Sequence, residues 1–512
     1  MREFNKTVTS FKLIINKKVV SGLLFMIIIS LFYAQENLPS FEPFFDVKEI
    51  LNHKNESGNY ISYEADEVFE MGLMFSECEQ NSEIWKKSWK KFEQIKKVVS
   101  SDEIMSLELE DRGRAILKFL YQDYLKTYSL KQTKIDIALE TGEYNCVSSA
   151  IIYMAAAKVA GIDVRGQKTT QHAFCSIYVP GIKDGQLKKI DVETTNPYGF
   201  NPGSREEIEH EDQIKKFYVV PKKYYANRSE VSDGVFTGLV AGNLCSDYIR
   251  SGNYSKAIPL GAARWDVVKY EAGKSANSVR KEFDILAVNY INMLPESATF
   301  YYSMLNWFLS FIDHWGSTEF LQKNLDSSFV NLLILCNKEA NYTLAKTSYD
   351  EYKNKVSQSQ RNKADEIITD LIIEKTTSGL STELKIQEIN SLILTEEFEE
   401  PVRQRRAKLH LEKFWLDYLN TFMNLREYET GYSKALFAAT QLPKSSKIKN
   451  MQNMFYNNII VQIHNDFIKQ ARAGNVSDAK KILEEGLEKF PNDKILKKDF
   501  SDLQKIDICH VQ

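Results

Sequence analysis

Apolar residues recur at helical spacing along much of this chain. In residues 111–129, DRGRAILKFLYQDYLKTYS, they return every three or four positions, which predicts an amphipathic helix. A second helix is predicted to begin at Cys146, because apolar residues repeat at every fourth position up to Val159. Gly161 follows that run and is typical of a helix stop.

The pattern changes from helix to strand after this second helix. Residues 173–179, AFCSIYV, are rich in β-branched and aromatic side chains and predict a strand. The turn sequence PGIKDG separates them from QLKKIDVET, residues 186–194, which predict a second strand. Because this connection is so short, the two strands are expected to be antiparallel. A loop at 196–203 closes what we expect to be an α+β unit.

From about Val231 to the C-terminus the pattern is helical throughout, and two segments partly match the tetratricopeptide repeat. Ala241 stands where that repeat has Trp, and Pro259 intrudes early in the second helix of the first copy. The matching residues are Leu244, Cys245, Tyr248 and Ala257 in the first segment and Ala479, Leu483 and Pro491 in the second. We therefore predict an all-α helical-repeat region with irregular units.

The N-terminus combines basic residues with an apolar run. Five Lys or Arg residues precede the sixteen uncharged residues 19–34, a run shorter than the roughly 20 residues of a spanning helix. This order predicts a secretory signal peptide cleaved after Ala34. Phe32 is bulky where a small residue is preferred, so an uncleaved signal anchor formed by 19–34 is the alternative. The chain is expected to be exported, to a periplasm or out of the cell, and to touch a membrane only through such an anchor.

Charge and cysteine content exclude several classes of protein. A net charge of −3 and a pI near 6.3 argue against a broad nucleic-acid-binding surface. The six cysteines show neither a CxxC pair nor metal-ligand spacing, so no disulfide framework, metal site or cofactor is expected. The terminal CHVQ matches the loose prenylation pattern by chance, because an exported chain does not meet a cytosolic prenyltransferase.

Cys146, His172 and Asp191 are the candidate catalytic residues. The free N–H groups at a helix N-terminus stabilise a thiolate, and a neighbouring imidazolium adds to that effect. Adjacent antiparallel strands would bring His172 and Asp191 side by side, where the carboxylate orients the imidazole. The backbone N–H of Cys146 is a natural donor to an oxyanion.

These segments resemble the core of the transglutaminase-like superfamily. The resemblance rests on YNCVSSAIIYMAAAKVAGIDVRG around Cys146, on QHAFCSIYV around His172 and on KKIDVET around Asp191. It implies an α+β, papain-related fold with a Cys-His-Asp triad in that order. The segment G-I-x-x-R ends with Arg165 in this chain, and the match covers roughly residues 111–203.

Two departures from that family leave the orienting acid open. Phe174 only partly satisfies an aromatic or Trp position, and Val192 and Glu193 follow Asp191 where the family commonly shows P-T. Glu193 is two residues beyond Asp191, so it would share the same strand face, and it is the alternative orienting acid.

Three further residues are candidates for a second hydrogen bond to an oxyanion. Tyr144, Asn145 and Gln171 lie beside the proposed triad in sequence, and each is equally explained by turn chemistry. Cys175 lies three residues beyond His172 on the same strand and is expected to pack in the core.

The pattern as a whole predicts four parts and one function. We expect a signal peptide or anchor at 1–34, a helical N-terminal segment at 35–105, a transglutaminase-like domain at 106–228 and helical repeats at 229–512. The function expected is that of an exported cysteine protease, amidase or transamidase that forms a thioester on Cys146. The repeats would hold a protein partner or peptide substrate. The alternative is a catalytically silent interaction scaffold of the cell envelope.

Overall fold

The computed structural model describes most of the chain. The described residues are 38–46, 55–57, 60–181, 185–202, 227–293, 295 and 297–510, without the side chains of 55–57 and 506–510. The predicted signal peptide or anchor at 1–34 lies outside them. Within the described ranges, no helix has both the length and the apolar character needed to cross a membrane.

The chain divides into two compact units. The first comprises Met1–Glu296 and Ser303–Asn324, and the second comprises Ser297–Tyr302 and Leu325–Gln512. The helices between 229 and 296 therefore belong to the same unit as the segment predicted to be transglutaminase-like.

The first unit begins with short elements and then builds a helix-backed sheet. The N-terminal segment, expected to be helical, also contains the antiparallel hairpin β1–β2. Its elements in order are β1 (Asn55–Ser57), β2 (Tyr60–Ser62), α1 (Ala65–Phe75), α2 (Glu83–Val99), α3 (Asp102–Met105), α4 (Leu109–Asp123), β3 (Thr127–Tyr128), α5 (Ile135–Thr141), β4 (Glu143–Tyr144), α6 (Cys146–Val159), β5 (Asp163–Lys168), β6 (Ala173–Pro180), β7 (Leu187–Val192) and β8 (Ser229–Val231).

Four of these strands form one antiparallel sheet in the order β7-β6-β5-β8. The helix α6 is buried along nearly its whole length, as expected of a helix that is apolar on all sides. It packs on the sheet, where the Cys175 thiol donates to the Ala150 carbonyl oxygen at 3.4 Å. The sheet therefore holds the helix that begins with Cys146.

Several sequence predictions can be compared with these elements. The strand expected at 173–179 is confirmed as β6, and the one expected at 186–194 is confirmed in part as β7, which ends at Val192. Their antiparallel pairing is confirmed too. The helix expected over 111–129 already ends at Asp123. The strand β5 was not predicted, because the pattern there indicated only a helix stop at Gly161.

The fold class predicted for this chain, a transglutaminase-like, papain-related α+β core followed by an all-α helical-repeat region, is wrong. Helix accounts for 69% of the structure and strand for 7%, so the protein is mostly helical. The strands of the largest sheet are three to eight residues long, whereas single helices reach 27 residues. Because the strand pattern is confined to such short segments, it does not determine the fold class of the whole molecule.

Every described element after β8 is helical. The first unit continues with α7 (Asp233–Thr237), α8 (Leu239–Arg250), α9 (Tyr254–Val268) and α10 (Lys274–Ile291). Two helices, α11 (Ala298–Trp315) and α12 (Glu319–Lys338), contain residues of both units. The second unit continues with α13 (Tyr342–Tyr352), α14 (Gln358–Thr377), α15 (Thr382–Ile393), a 3₁₀ turn (Glu396–Phe398), α16 (Pro401–Leu425), α17 (Tyr428–Gln441), α18 (Ser446–Arg472), α19 (Val476–Lys489) and α20 (Lys494–His510).

Small residues let neighbouring helices of the second unit approach closely. A Cβ atom at Gly431 would lie 2.2 Å from the Phe455 ring, so α17 packs directly on that ring. Ala479 and Leu483, which carry the second repeat match, are fully buried in a cluster with residues of α18 and α20. These contacts suit paired helices, and the assignment to tetratricopeptide repeats stays a prediction.

Candidate active site

A capping box fixes the start of α6. The Asn145 side-chain oxygen accepts from the backbone N–H groups of Val147 at 2.9 Å and Ser148 at 3.1 Å. The Ser148 hydroxyl in turn accepts from the Asn145 N–H at 3.0 Å. This reciprocal cap satisfies donors that a helix start otherwise leaves open. It places Cys146 at the first position of the helix, where the residue is half-buried.

His172 lies between Cys146 and a carboxylate. It immediately precedes β6, and its carbonyl oxygen accepts from the Thr169 N–H at 2.8 Å, which closes the β5–β6 turn. The residue is only 7% exposed. Its Nε2 lies 2.6 Å from Oε2 of Glu193, and the ring also hydrogen-bonds with the Cys146 thiol. The imidazole is therefore in contact with an acid and a nucleophile at once.

These contacts decide the charge of the imidazole. Burial lowers the pKa of His172, but the hydrogen bonds and negative charges of Cys146 and Glu193 outweigh it and raise that pKa from 6.5 to about 10. The ring is therefore protonated at neutral pH.

Glu193 is itself held in place by the loop after β7. Its Oε1 accepts from the Thr195 N–H at 3.1 Å and from the Thr195 hydroxyl at 2.7 Å. Its backbone N–H donates to the Gly199 carbonyl oxygen at 2.7 Å. A Cβ atom at Gly199 would lie 2.0 Å from the Glu193 carbonyl oxygen, so only glycine permits this approach. The carboxylate is thus oriented before it contacts the histidine.

Asp191 does not orient His172, and its assignment to the triad is wrong. Its carboxylate accepts from the Ser176 hydroxyl at 2.8 Å and pairs with Arg228. Side chains alternate along β7, so Ile190 and Val192 are buried while Asp191 lies on the opposite face, across from Ser176.

The strand β7 ends before Glu193, the alternative acid. This end explains why the carboxylates of Asp191 and Glu193 have different contacts. Because β7 stops at Val192, the regular alternation does not carry on to Glu193. The turn that follows directs Glu193 toward His172. In a continued strand Glu193 would lie on the same face as Asp191, which instead contacts Ser176.

Two tyrosines support the same loop. The Tyr121 hydroxyl donates to the Thr194 carbonyl oxygen at 2.8 Å and lies 3.0 Å from the Tyr144 hydroxyl. The Tyr144 hydroxyl also lies 3.3 Å from the Thr195 carbonyl oxygen. Burial raises the pKa of Tyr144 to about 12, so its hydroxyl stays neutral and keeps its proton to donate. Tyr144 therefore lies in a hydrogen-bonded pair that holds the loop carrying the acid.

The other two oxyanion candidates are placed differently. Asn145 caps α6, and its side-chain amide donates to the Leu130 carbonyl oxygen at 3.2 Å. Gln171 lies on the β5–β6 turn with its side chain exposed, and its backbone N–H donates to the Thr169 hydroxyl at 3.3 Å. Asn145 thus acts on the helix start that presents Cys146.

Sequence reasoning missed three residues that build this site: Tyr121, Thr195 and Gly199. A hydroxyl residue two positions after an acid is a typical turn arrangement, so the spacing of Glu193 and Thr195 was a usable signal. No comparable signal marked Tyr121, whose role depends on contacts distant in sequence.

Other chemistry is limited in the part of the chain that the structure describes. No group of three or more His, Cys, Asp or Glu residues there could hold a metal ion. Five cysteines are described as free, and Cys146 alone among those five is not buried. Burial raises the pKa of Cys175 far above that of a free thiol and that of Cys245 to about 12. Those two thiols are therefore neutral and unreactive.

Comparison with known proteins identifies no family for this chain. No family model matches it, and no curated protein matches it. Among solved structures it matches a crystal structure of menin, described as revealing the binding site for the Mixed Lineage Leukemia (MLL) protein. The two chains are 14% identical with a TM-score of 0.25, over 80% of this chain and 94% of the other. A likeness at that TM-score supports no conclusion about this protein.

Proposed function

We propose that this protein is a cysteine-dependent enzyme that transfers an acyl group through a thioester on Cys146. The observation that carries the proposal is the buried His172 ring, which contacts the Cys146 thiol and the Glu193 carboxylate together. A nucleophile, a base and an orienting acid in mutual contact are the requirements of nucleophilic catalysis.

The proposed reaction begins with the Cys146 thiolate attacking an amide or ester carbonyl carbon. The backbone N–H groups at the start of α6 stabilise the oxyanion that forms. The carbon–nitrogen or carbon–oxygen bond then breaks, and the His172 imidazolium gives its proton to the leaving amine or alcohol. Water, or a second amine, next attacks the thioester while His172 takes its proton. The sulfur leaves as a thiolate, which restores the starting ion pair.

Glu193 acts on His172 and not on the substrate in this proposal. A buried carboxylate at 2.6 Å fixes the orientation of the imidazole and stabilises its charged form. Thr195 keeps that carboxylate in place. Peptide hydrolysis is the favoured outcome because water is always present as an acceptor.

The same proposal includes a location and a partner. The basic and apolar N-terminus supports export of the protein. The paired helices of the second unit support binding of a protein partner or a peptide substrate, as stacked helix pairs commonly do.

Thiol reactivity tests the nucleophile directly. At pH 6 an ordinary thiol is only about 0.3% ionised, so wild-type protein should react with iodoacetamide at Cys146 at least roughly tenfold faster than at any other cysteine. Cys78→Ala, which removes a buried thiol, is the matched control and should leave that rate unchanged. Peptide mapping identifies the alkylated residue. Equal slow labelling of all cysteines would refute an activated Cys146.

Trapping the intermediate tests the reaction itself. Incubation with a mixture of peptide amides and hydroxylamine should yield hydroxamates, because hydroxylamine attacks a thioester faster than water does. Cys146→Ala should yield none. If wild-type protein reacts rapidly with iodoacetamide yet forms no hydroxamate from any peptide or ester offered, the interaction-scaffold alternative replaces acyl transfer.

A further inference from the structure

Three helices of the first unit enclose a cavity of about 210 Å³. The helices are α8, α9 and α10, and the walls combine apolar side chains with one buried arginine. Principal lining residues are Gly242, Cys245, Arg264, Val279, Glu282 and Leu286. Ser246 and Ile249 also line it, and because Ser246 is exposed we place the cavity mouth there.

Arg264 is buried in the cavity wall, and its guanidinium has a hydrogen-bond donor without a partner among the described residues. The residue is 5% exposed, and its Nη1 contacts Oε2 of Glu282 at 2.5 Å. Its Nε is buried and finds no hydrogen-bond partner among the described residues. Leaving a buried donor of a charged group unsatisfied is costly. A guanidinium pairs with a carboxylate through charge-assisted hydrogen bonds.

Two glycines make room for this guanidinium. A Cβ atom at Gly242 would lie 3.0 Å from Nη1 and 3.1 Å from Cζ of Arg264, and one at Gly238 would lie 3.4 Å from Nε. Gly238 and Gly242 are four residues apart and lie one turn apart at the start of α8. Larger residues at both positions would fill the space that the arginine occupies.

The charges around the cavity leave a positive excess. Glu282 pairs with Arg264 and also lies 3.6 Å from the Lys168 ammonium, so one carboxylate faces two cations. Glu77, the other carboxylate near Cys245, pairs with Lys134. The Cys245 thiol supplies no negative charge, because burial raises its pKa to about 12 and keeps it neutral.

We propose that this cavity binds a carboxylate carried on a short apolar chain. The carboxylate would pair with the guanidinium of Arg264, and the chain would lie against Val279 and Leu286. The volume, below the roughly 300 Å³ at which ligand pockets usually begin, admits a small acid or one terminal residue of a peptide. This site does not depend on the reaction proposed for Cys146.

Calorimetry with matched pairs of probes tests this site in the full-length protein. Hexanoate represents a free aliphatic acid, and N-acetyl-leucine represents the carboxyl end of a peptide. Their neutral counterparts are hexanamide and N-acetyl-leucinamide. We expect one or both acids to bind and their amides to bind at least about tenfold more weakly, since a charge-assisted bidentate contact is lost. Whichever acid binds identifies the source of the carboxylate.

Variants locate the binding in the cavity. Arg264→Gln should weaken acid binding by about tenfold or more, while Arg250→Gln, which removes an exposed arginine of α8, should leave it unchanged. Ser246→Trp blocks the mouth from an exposed position and should also abolish binding. If Arg264→Gln fails to fold, the binding measured with Ser246→Trp shows whether the acid binds in the cavity.

Several results would overturn the proposal. They are no binding of either acid to wild-type protein, equal binding of acid and amide, or full binding by folded Arg264→Gln. Where that variant does not fold, unchanged binding by Ser246→Trp counts equally against the site.

Discussion

At the scale of single residues, the site depends on the charge of one imidazole. His172 is buried, and burial alone would favour its neutral form, yet contacts with Cys146 and Glu193 reverse that preference. The attack proposed for Cys146 uses the same contacts, so the thiol, the imidazole and the carboxylate have to be tested together.

Replacing each candidate acid separately distinguishes their roles. Glu193→Gln should reduce turnover and the alkylation rate at pH 6 by roughly two orders of magnitude or more, because the imidazolium loses its carboxylate. Asp191→Asn is the matched control, and its effect should stay within about threefold, since it breaks contacts only with Ser176 and Arg228. A larger loss in Asp191→Asn than in Glu193→Gln would contradict this assignment.

The pKa of His172 also predicts how stability changes with pH. The folded-state pKa, about 10, lies above the unfolded value of 6.5, so the folded protein holds the proton more tightly. This contribution is fully present below pH 6.5 and is lost as pH rises toward 10. The free energy of unfolding of wild type should therefore exceed that of His172→Gln most at pH 6, and the difference should shrink by pH 10. Urea unfolding at pH 6, 8 and 10 measures it, and a difference that grows with pH would contradict the charged ring.

At the scale of secondary-structure elements, the end of β7 determines which acid serves the site. The strand holds Asp191 on one face, and the turn after Val192 directs Glu193 toward His172. The turn closes through the hydrogen bond between Glu193 and Gly199 and through the Thr195 contacts. The acid is thus positioned by the way a strand ends.

Gly199→Ala tests that dependence. The added Cβ would meet the Glu193 carbonyl oxygen at 2.0 Å, so the turn must shift, at a cost of about 1–3 kcal/mol in stability. Alkylation of Cys146 at pH 6 should slow at the same time. Gly185→Ala is the control, because it strains a turn with φ near +76° but has no atom within 4 Å of its new Cβ. It should lose about 1 kcal/mol without any change in alkylation rate. Equal alkylation rates in both variants would exclude a positioning role for the turn.

At the scale of the whole molecule, the protein is mostly helical and divides into two units. The candidate site lies entirely in the first unit, at the contact between α6 and a four-stranded sheet. The second unit consists of paired helices.

The proposed export concerns the entire chain and is tested on its N-terminus. If the predicted signal peptide is cleaved after Ala34, the mature protein begins at Gln35 and is recovered outside the cytoplasm. Mass spectrometry of the purified protein determines that terminus. Phe32→Ala, which places a small residue at the preferred position, should increase the cleaved fraction. An intact Met1 terminus on soluble cytoplasmic protein would rule out export.

Local pattern alone determined much of the candidate site. Helical spacing and a polar residue before the apolar run identified the helix starting at Cys146, and a short turn between two strand patterns identified β6 and β7 with their pairing. These features depend on near neighbours in the chain, whose backbone preferences and periodicity are readable from sequence. The histidine could therefore be located beside its strand.

Only the tertiary structure decided which acid contacts that histidine and what class of fold surrounds it. Asp191 and Glu193 are equivalent by strand periodicity, and they separate because the chain turns after Val192 and pairs with Gly199. Such a turn depends on close backbone contacts that have no periodic signal. The helices after Val231 were readable from their periodicity, but the extent of the strands in the first unit depends on their pairing across the sheet, so only the structure showed that strand makes up 7% of the molecule.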